Sequence, residues 1–315
     1  MEHITPTEFI ESLDSAEFTS FLKQVNSSPA ELLSITLPIA GIDPLAALEL
    51  NPAYQEKFYW NHPTEEISIS AAGKIRELKS TGKNRFEDIA AQTKKLKDSI
   101  DAYTITQHLM AGPLLLGGYS FNDHNVGAVW KKFGAARFVL PEWMLIEIGN
   151  LHLLTLTFEK KDVTADEIYQ DVIARLTQFL NIAGKLTHSE KRPADSGTIL
   201  CTLQTPDEKE NWIRRVNRAK SFIENDTFEK IVLARSLTVE SKQRLKPTQL
   251  AHNLRQKYPD CYNFLIQKDE DTSFVGATPE RLATFRDGKL QTEGLAGSAS
   301  RGRSALEDAS LAQSL

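Results

Sequence analysis

What most constrains this chain is the punctuation of its apolar runs. Strand-length stretches and helix-length amphipathic ones follow one another irregularly, with no repeating strand–helix–strand rhythm. The clearest strands cover 144–148 and 151–158, parted only by Gly149-Asn150, which reads as a two-residue hairpin loop. Further strands are expected over 34–40, 66–71, 113–121 and 135–140, with the β-prone triplet Phe58-Tyr59-Trp60 between the first two. In 66–71, Ile67, Ile69 and Ala71 share one face, and Ser68 and Ser70 the other.

Helices are marked by their buried stripes. One carries Phe86, Ile89, Leu96 and Ile100. Thr164 opens another, with Glu167 at the capping-box position and Ile168, Val172, Leu176 and Leu180 as the stripe. A third starts at Thr205-Pro206, with Glu208 at the box position and Trp212, Val216, Ala219 and Ile223 inward; a fourth holds Leu250, Leu254 and Tyr258. Between the second and third, residues 185–196 read as an exposed loop. A strand over 229–240 comes next after the third helix, and a meander over 262–267, 273–277 and 282–292 follows the fourth, its last member folding back at Asp287-Gly288. This mixture favours an α+β fold with layered αββα packing over a doubly wound sheet.

Composition narrows the function classes. The 315 residues are the length of one large or two ordinary domains. With 37 basic and 42 acidic residues the net charge is −5, which argues against nucleic acid or an anionic membrane as the partner. Two cysteines exclude a disulfide scaffold and a four-cysteine zinc site, and they suit a reducing compartment. There is no basic stretch leading into an apolar core at the start, and no uncharged apolar run reaches the ~18 residues of a membrane span. The expectation is a cytoplasmic protein. At the far end, Ser304 and Glu307 form a capping box and Leu311 and Leu315 a stripe, but no capping glycine, basic last turn or polar tail follows. The expectation there is a chain cut short; the alternative is a natural terminal helix that frays.

Three places can carry chemistry. Lys230 begins an alternating run in which Ile231, Leu233, Leu237 and Val239 face one way. A lysine partly withdrawn from water at the mouth of an apolar strand has a lowered pKa and serves as a general base. The plainer reading is a strand-end lysine reaching water. Glu280 lies in Gly276-Ala277-Thr278-Pro279-Glu280-Arg281-Leu282, where glycine and proline turn a strand end into a corner. A recessed carboxyl there is a candidate acid; the alternative is a solvent-facing glutamate paired with Arg281. Third, the loop 294–304 is rich in small residues that let backbone amides approach an anion, unless it is simply a flexible connection. Gly297 to Ser304 nearly spells a phosphate loop, but Arg303 stands where lysine belongs, and nucleotide hydrolysis is set aside. No paired-histidine metal motif, nucleophile elbow or dinucleotide fingerprint is present.

In this order, the lysine strand, the Gly-Ala-Thr-Pro-Glu corner and Leu295-Ala296-Gly297-Ser298-Ala299-Ser300-Arg301-Gly302 resemble the chorismate-utilising enzymes, and among them the isochorismate synthases. The likeness extends upstream through Gly117-Gly118-Tyr119-Ser120-Phe121, Trp130 and Phe138-Val139-Leu140-Pro141. It implies an αββα fold of the anthranilate synthase type, incomplete here, with 1–110 as its N-terminal part and 111–315 as the first part of the catalytic region, all one structural domain. The resemblance also implies roles. Lys230 takes a proton from water attacking C2 of chorismate, Glu280 protonates the departing C4 hydroxyl, and Gly297 and Ser298 offer backbone amides to a substrate carboxylate.

Ammonia-using relatives carry glutamine where Lys230 stands, and aminodeoxychorismate-type relatives carry lysine where Ala296 stands. The resemblance therefore points to water as nucleophile and to isochorismate, with salicylate synthase as the alternative. Magnesium is implied too, with its glutamate ligands expected beyond residue 315, so that none of the present residues is assigned to metal. A monomer acting on chorismate, in menaquinone or siderophore synthesis, completes the expectation. One alternative is a non-catalytic fragment or partner-binding remnant. The 315 residues alone are expected to convert no chorismate.

Overall fold

The computed structural model describes residues 15–39, 41–49, 54–123, 127–160, 164–184, 199–201, 206–236, 238–241, 243–286, 288–292 and 302–313. Helices are α1 (Ala16–Ser27), α2 (Pro44–Glu49), α3 (Arg85–Lys97), α4 (Ala165–Gly184), α5 (Pro206–Glu224), α6 (Pro247–Lys257) and α7 (Ala305–Gln313). Strands begin with β1 (Leu32–Pro38), β2 (Lys57–His62), β3 (Ile67–Ala72), β4 (Arg76–Ser80) and β5 (Ile100–Thr104). Next come β6 (Leu116–Tyr119), β7 (Ala136–Leu140), β8 (Trp143–Ile148), β9 (Leu151–Glu159) and β10 (Ile199–Cys201). The last are β11 (Val239–Ser241), β12 (Tyr262–Asp269), β13 (Thr272–Thr278), β14 (Thr284–Arg286) and β15 (Lys289–Gln291). The chain gathers into two compact units, residues 1–188 with 250–315, and residues 189–249.

The larger unit is built on an eight-stranded sheet in the order β13-β12-β2-β3-β8-β9-β1-β5, antiparallel except for the parallel β1–β5 pair. A three-stranded sheet, β4-β7-β6, lies on one face of it. The other face is the main core. Leu33, Ile35 and Leu37 of β1, Tyr59 of β2, Leu145 of β8 and Leu154 of β9 meet Phe18 and Leu22 of α1, Leu48 of α2, Val172 and Leu176 of α4 and Ala251 of α6. Between the sheets, Ile69, Ala71, Met144, Ile146 and Leu153 form a second cluster, with Leu114 and Leu116 packed against it. On the outer side of the small sheet, α3 buries Ile89 and Leu96 against Leu78, Ala136 and Leu140. The layers therefore run helix, sheet, sheet, helix, as the sequence suggests.

Local chemistry explains most elements. Ile148 pairs with Leu151, so the β8–β9 turn is two residues long, and Gly149 has the positive φ of 55° that such a turn needs. Thr164 and Glu167 exchange backbone-to-side-chain hydrogen bonds at 2.7 and 3.3 Å, closing the capping box of α4. Its stripe of Ile168, Val172 and Leu176 is buried, each contributing roughly 1.5–3 kcal/mol; the side chain of Leu180 lies outside the described residues. Both faces of β3 are buried, its serines included, because a sheet and helices cover the two sides.

Four charged residues fasten the two sheets. Arg137 of β7 donates Nη2 to both oxygens of Glu56, at 2.8 and 2.6 Å, and Nε to Glu77 of β4. Lys268 of β12 donates to the same two carboxylates at 2.6 and 3.2 Å.

Some expectations are corrected. The strand expected over 229–240 is present only as β11, which pairs with β10; residues 230–236 are irregular. Alternation provides a face, but a strand also needs a neighbouring backbone, and none forms a ladder with 230–236 among the described residues. Ile100 opens β5 instead of ending α3, and Phe86 is 49% exposed, not buried. Ile223 and Tyr258 are also exposed. The 282–292 segment is a short separate hairpin, β14–β15, with Arg286 opposite Lys289. The loop expected at 185–196, the cap at Thr205, Asp287 and Leu315 lie outside the described residues.

Candidate active site

The acid-bearing corner is assembled by β12 and β13. Phe264 of β12 lies directly opposite Gly276 of β13, and a Cβ at Gly276 would come within 2.5 Å of the Phe264 ring. A side chain at this point of the motif would have to displace an aromatic ring laid across the strand. At the strand end, Thr278 pairs with Tyr262, whose ring stacks on Trp60 at 5.2 Å and meets His62 edge-on at 4.5 Å. Past Pro279, the Glu280 amide donates to Thr278 Oγ1 at 3.1 Å, which closes the turn. Glu280 is exposed in this unit.

Arg281 does not pair with Glu280 in the way its adjacency suggests. Its guanidinium reaches Glu65 at 3.7 Å, in the short turn between β2 and β3. That turn is tied to the residues ahead of β12: Thr64 Oγ1 donates to Asp260 at 2.7 Å, and its amide to the Pro259 carbonyl at 3.4 Å. Glu65 and Thr64 are absent from the sequence reading, because residues some 200 positions apart in sequence meet only through the β2–β12 pairing.

Lys230 belongs to the smaller unit. After α5, Asp226 takes a left-handed φ of 53° and Thr227 donates back to the Phe222 carbonyl at 2.9 Å, turning the chain out of the helix. The chain then runs along α5, with Phe222 and Phe228 edge-to-face at 5.9 Å. Lys230 lines an open hollow of about 460 Å3 with Phe222, Phe228, Ile231, Leu233 and the arginines Arg215 and Arg218. The lysine is exposed, so within its own unit it is not withdrawn from water. Gly297 and Ser298 lie outside the described residues. The structure thus describes two of the four sequence-derived site residues, one in each unit.

Comparison with known proteins decides the family. The profile described as chorismate binding enzyme matches residues 19–315. The chain belongs to the chorismate-binding enzymes. Among this family's curated members, isochorismate synthase MenF of Bacillus subtilis (strain 168) is 28% identical over 290 residues, covering 89% of this chain and 59% of that protein. The salicylate biosynthesis isochorismate synthase of Pseudomonas aeruginosa is 28% identical, covering 87% of this chain and 56% of its own length. The chain spans less than two thirds of the length of these relatives. Of solved structures, MenF, the menaquinone-specific isochorismate synthase from Escherichia coli, superposes with a TM-score of 0.59 at 18% identity, over 98% of this chain and 63% of that one. This likeness shows a shared fold, and the α+β layering described above is that of the chorismate-binding enzymes.

Proposed function

We propose that this chain carries part of an isochorismate synthase. In this reading water adds at C2 of chorismate and the C4 hydroxyl departs as water, so the net change is an isomerisation. Lys230 removes a proton from the incoming water and Glu280 supplies one to the leaving hydroxyl, acid and base acting at opposite ends of one displacement. Gly297 and Ser298 place backbone amides on a carboxylate of the substrate. The observation that carries the reading is lysine at 230 in a chain whose family match runs unbroken through the corner at Glu280.

Magnesium is what the family implies as cofactor. Among the described residues no group of three or more His, Cys, Asp or Glu could hold a metal, so those residues do not fit a magnesium site and no step here runs through one. No helix among them is long and apolar enough to cross a membrane. The same reading makes the protein a cytoplasmic monomer with chorismate as its partner, without nucleic acid or membrane, its 1–110 and 111–315 portions forming one structural domain. Its product feeds menaquinone or siderophore synthesis.

The test is product analysis. Protein made from its native reading frame is given chorismate and magnesium, and the products are separated. Isochorismate is expected. Salicylate would move the assignment to an enzyme that goes on to eliminate pyruvate, and anthranilate or no product would overturn it.

A further inference from the structure

A second hollow lies wholly within the larger unit, where the edge of the small sheet faces the β12–β13 hairpin. It measures about 490 Å3, within the range of small-molecule sites, roughly 300–1,000 Å3. Neither Lys230 nor Glu280 lines it. One wall is aromatic: Trp130 meets Phe274 edge-on at 4.7 Å, with Phe133 beside both. Lys132 pins that wall in place by donating to Asp269 at 2.8 Å and Thr272 at 2.9 Å. Tyr119 and Phe121 stand at the other side, and Phe121 is fully exposed. The strand between them offers bare backbone at Gly118, where an added Cβ would meet nothing within 4 Å.

Among the described residues that line it, the charged one is Arg137. Its side chain is 10% exposed and lines the hollow. Nε is taken by Glu77 and Nη2 by Glu56, while Nη1 has no partner among the described residues. Around it, Arg137, Lys268, Lys74 and Lys79 oppose only Glu56 and Glu77, four positive groups against two negative. The cluster keeps an uncompensated positive charge beside an aromatic slot.

We propose that this hollow binds a planar aromatic monoanion, an aryl carboxylate of one or two rings. Its ring lies against Trp130 and Phe274 over the Gly118 backbone, and its carboxylate reaches Arg137. The assignment goes beyond the proposed catalytic reading and does not depend on it.

The probe is 2-naphthoate, titrated calorimetrically into the 315-residue chain, with 2-naphthamide as the same ring without the charge. Naphthoate is expected to bind saturably at one site per chain, and the amide about tenfold more weakly or worse. Gly118→Leu, whose Cβ would meet nothing within 4 Å, is expected to weaken naphthoate by about tenfold while the melting temperature holds. Phe121→Ala, at a fully exposed side chain that folding does not need, serves as the second variant and is expected to weaken binding about threefold. Equal binding of naphthoate and the amide, wild-type affinity in both variants, or no saturable heat at millimolar naphthoate would each overturn the proposal.

Discussion

Burial alone would raise the carboxyl of Glu77, yet Lys79, Arg137 and Lys268 outweigh it and hold the group at about 2. A carboxyl held below its unfolded value contributes stability that is complete above pH 4.5 and is lost as pH falls toward about 2. Melting curves of the wild type should therefore drop more steeply through that window than those of Glu77→Gln; parallel curves would show that the clasp between the sheets is not electrostatic. The proposed catalytic pair makes a different demand. Lys230 and Glu280 are exposed in their units, so Lys230→Ala and Glu280→Gln should leave the melting temperature nearly unchanged. Isochorismate formation should fall by about 10²–10⁴-fold or more in each. Near-normal turnover in either variant would return that residue to a structural role. Gly276→Val must push Phe264 aside and should cost about 1–3 kcal/mol in a denaturant titration.

Among elements, α4 shows what could be read in advance. Its cap, its first-turn acids and its stripe all point the same way, and packing then agrees with them. Thr164→Ala should lower stability by about 1 kcal/mol and Leu176→Ala by about 2–5 kcal/mol, both measurable by urea unfolding. The β8–β9 hairpin was legible for the same reason, since its turn chemistry is local. By contrast, β4 has a single buried apolar residue, Leu78, and owes its existence to β7 alongside it. The 230–236 run errs in the opposite direction, with strand-like alternation but no strand paired with it among the described residues. Local signals therefore located capped helices and tight hairpins, while strands defined by a distant partner escaped. In the candidate site the motif residues were visible, but the Glu65–Arg281 contact was not, because only tertiary pairing creates it.

At the scale of the molecule, the order of the large sheet sets β2 beside β12, so that Phe58-Tyr59-Trp60 is bordered by strands from opposite halves of the chain. During synthesis β2 leaves the ribosome about 200 residues ahead of that neighbour, and at ~5–20 residues per second the wait is roughly 10–40 s. For that interval one flank of β2 has no strand to pair its amides and carbonyls, an invitation to pair with another nascent chain. Translation speed, or a chaperone holding the early strands, thus becomes a determinant of yield for a protein whose finished form gives no hint of the delay.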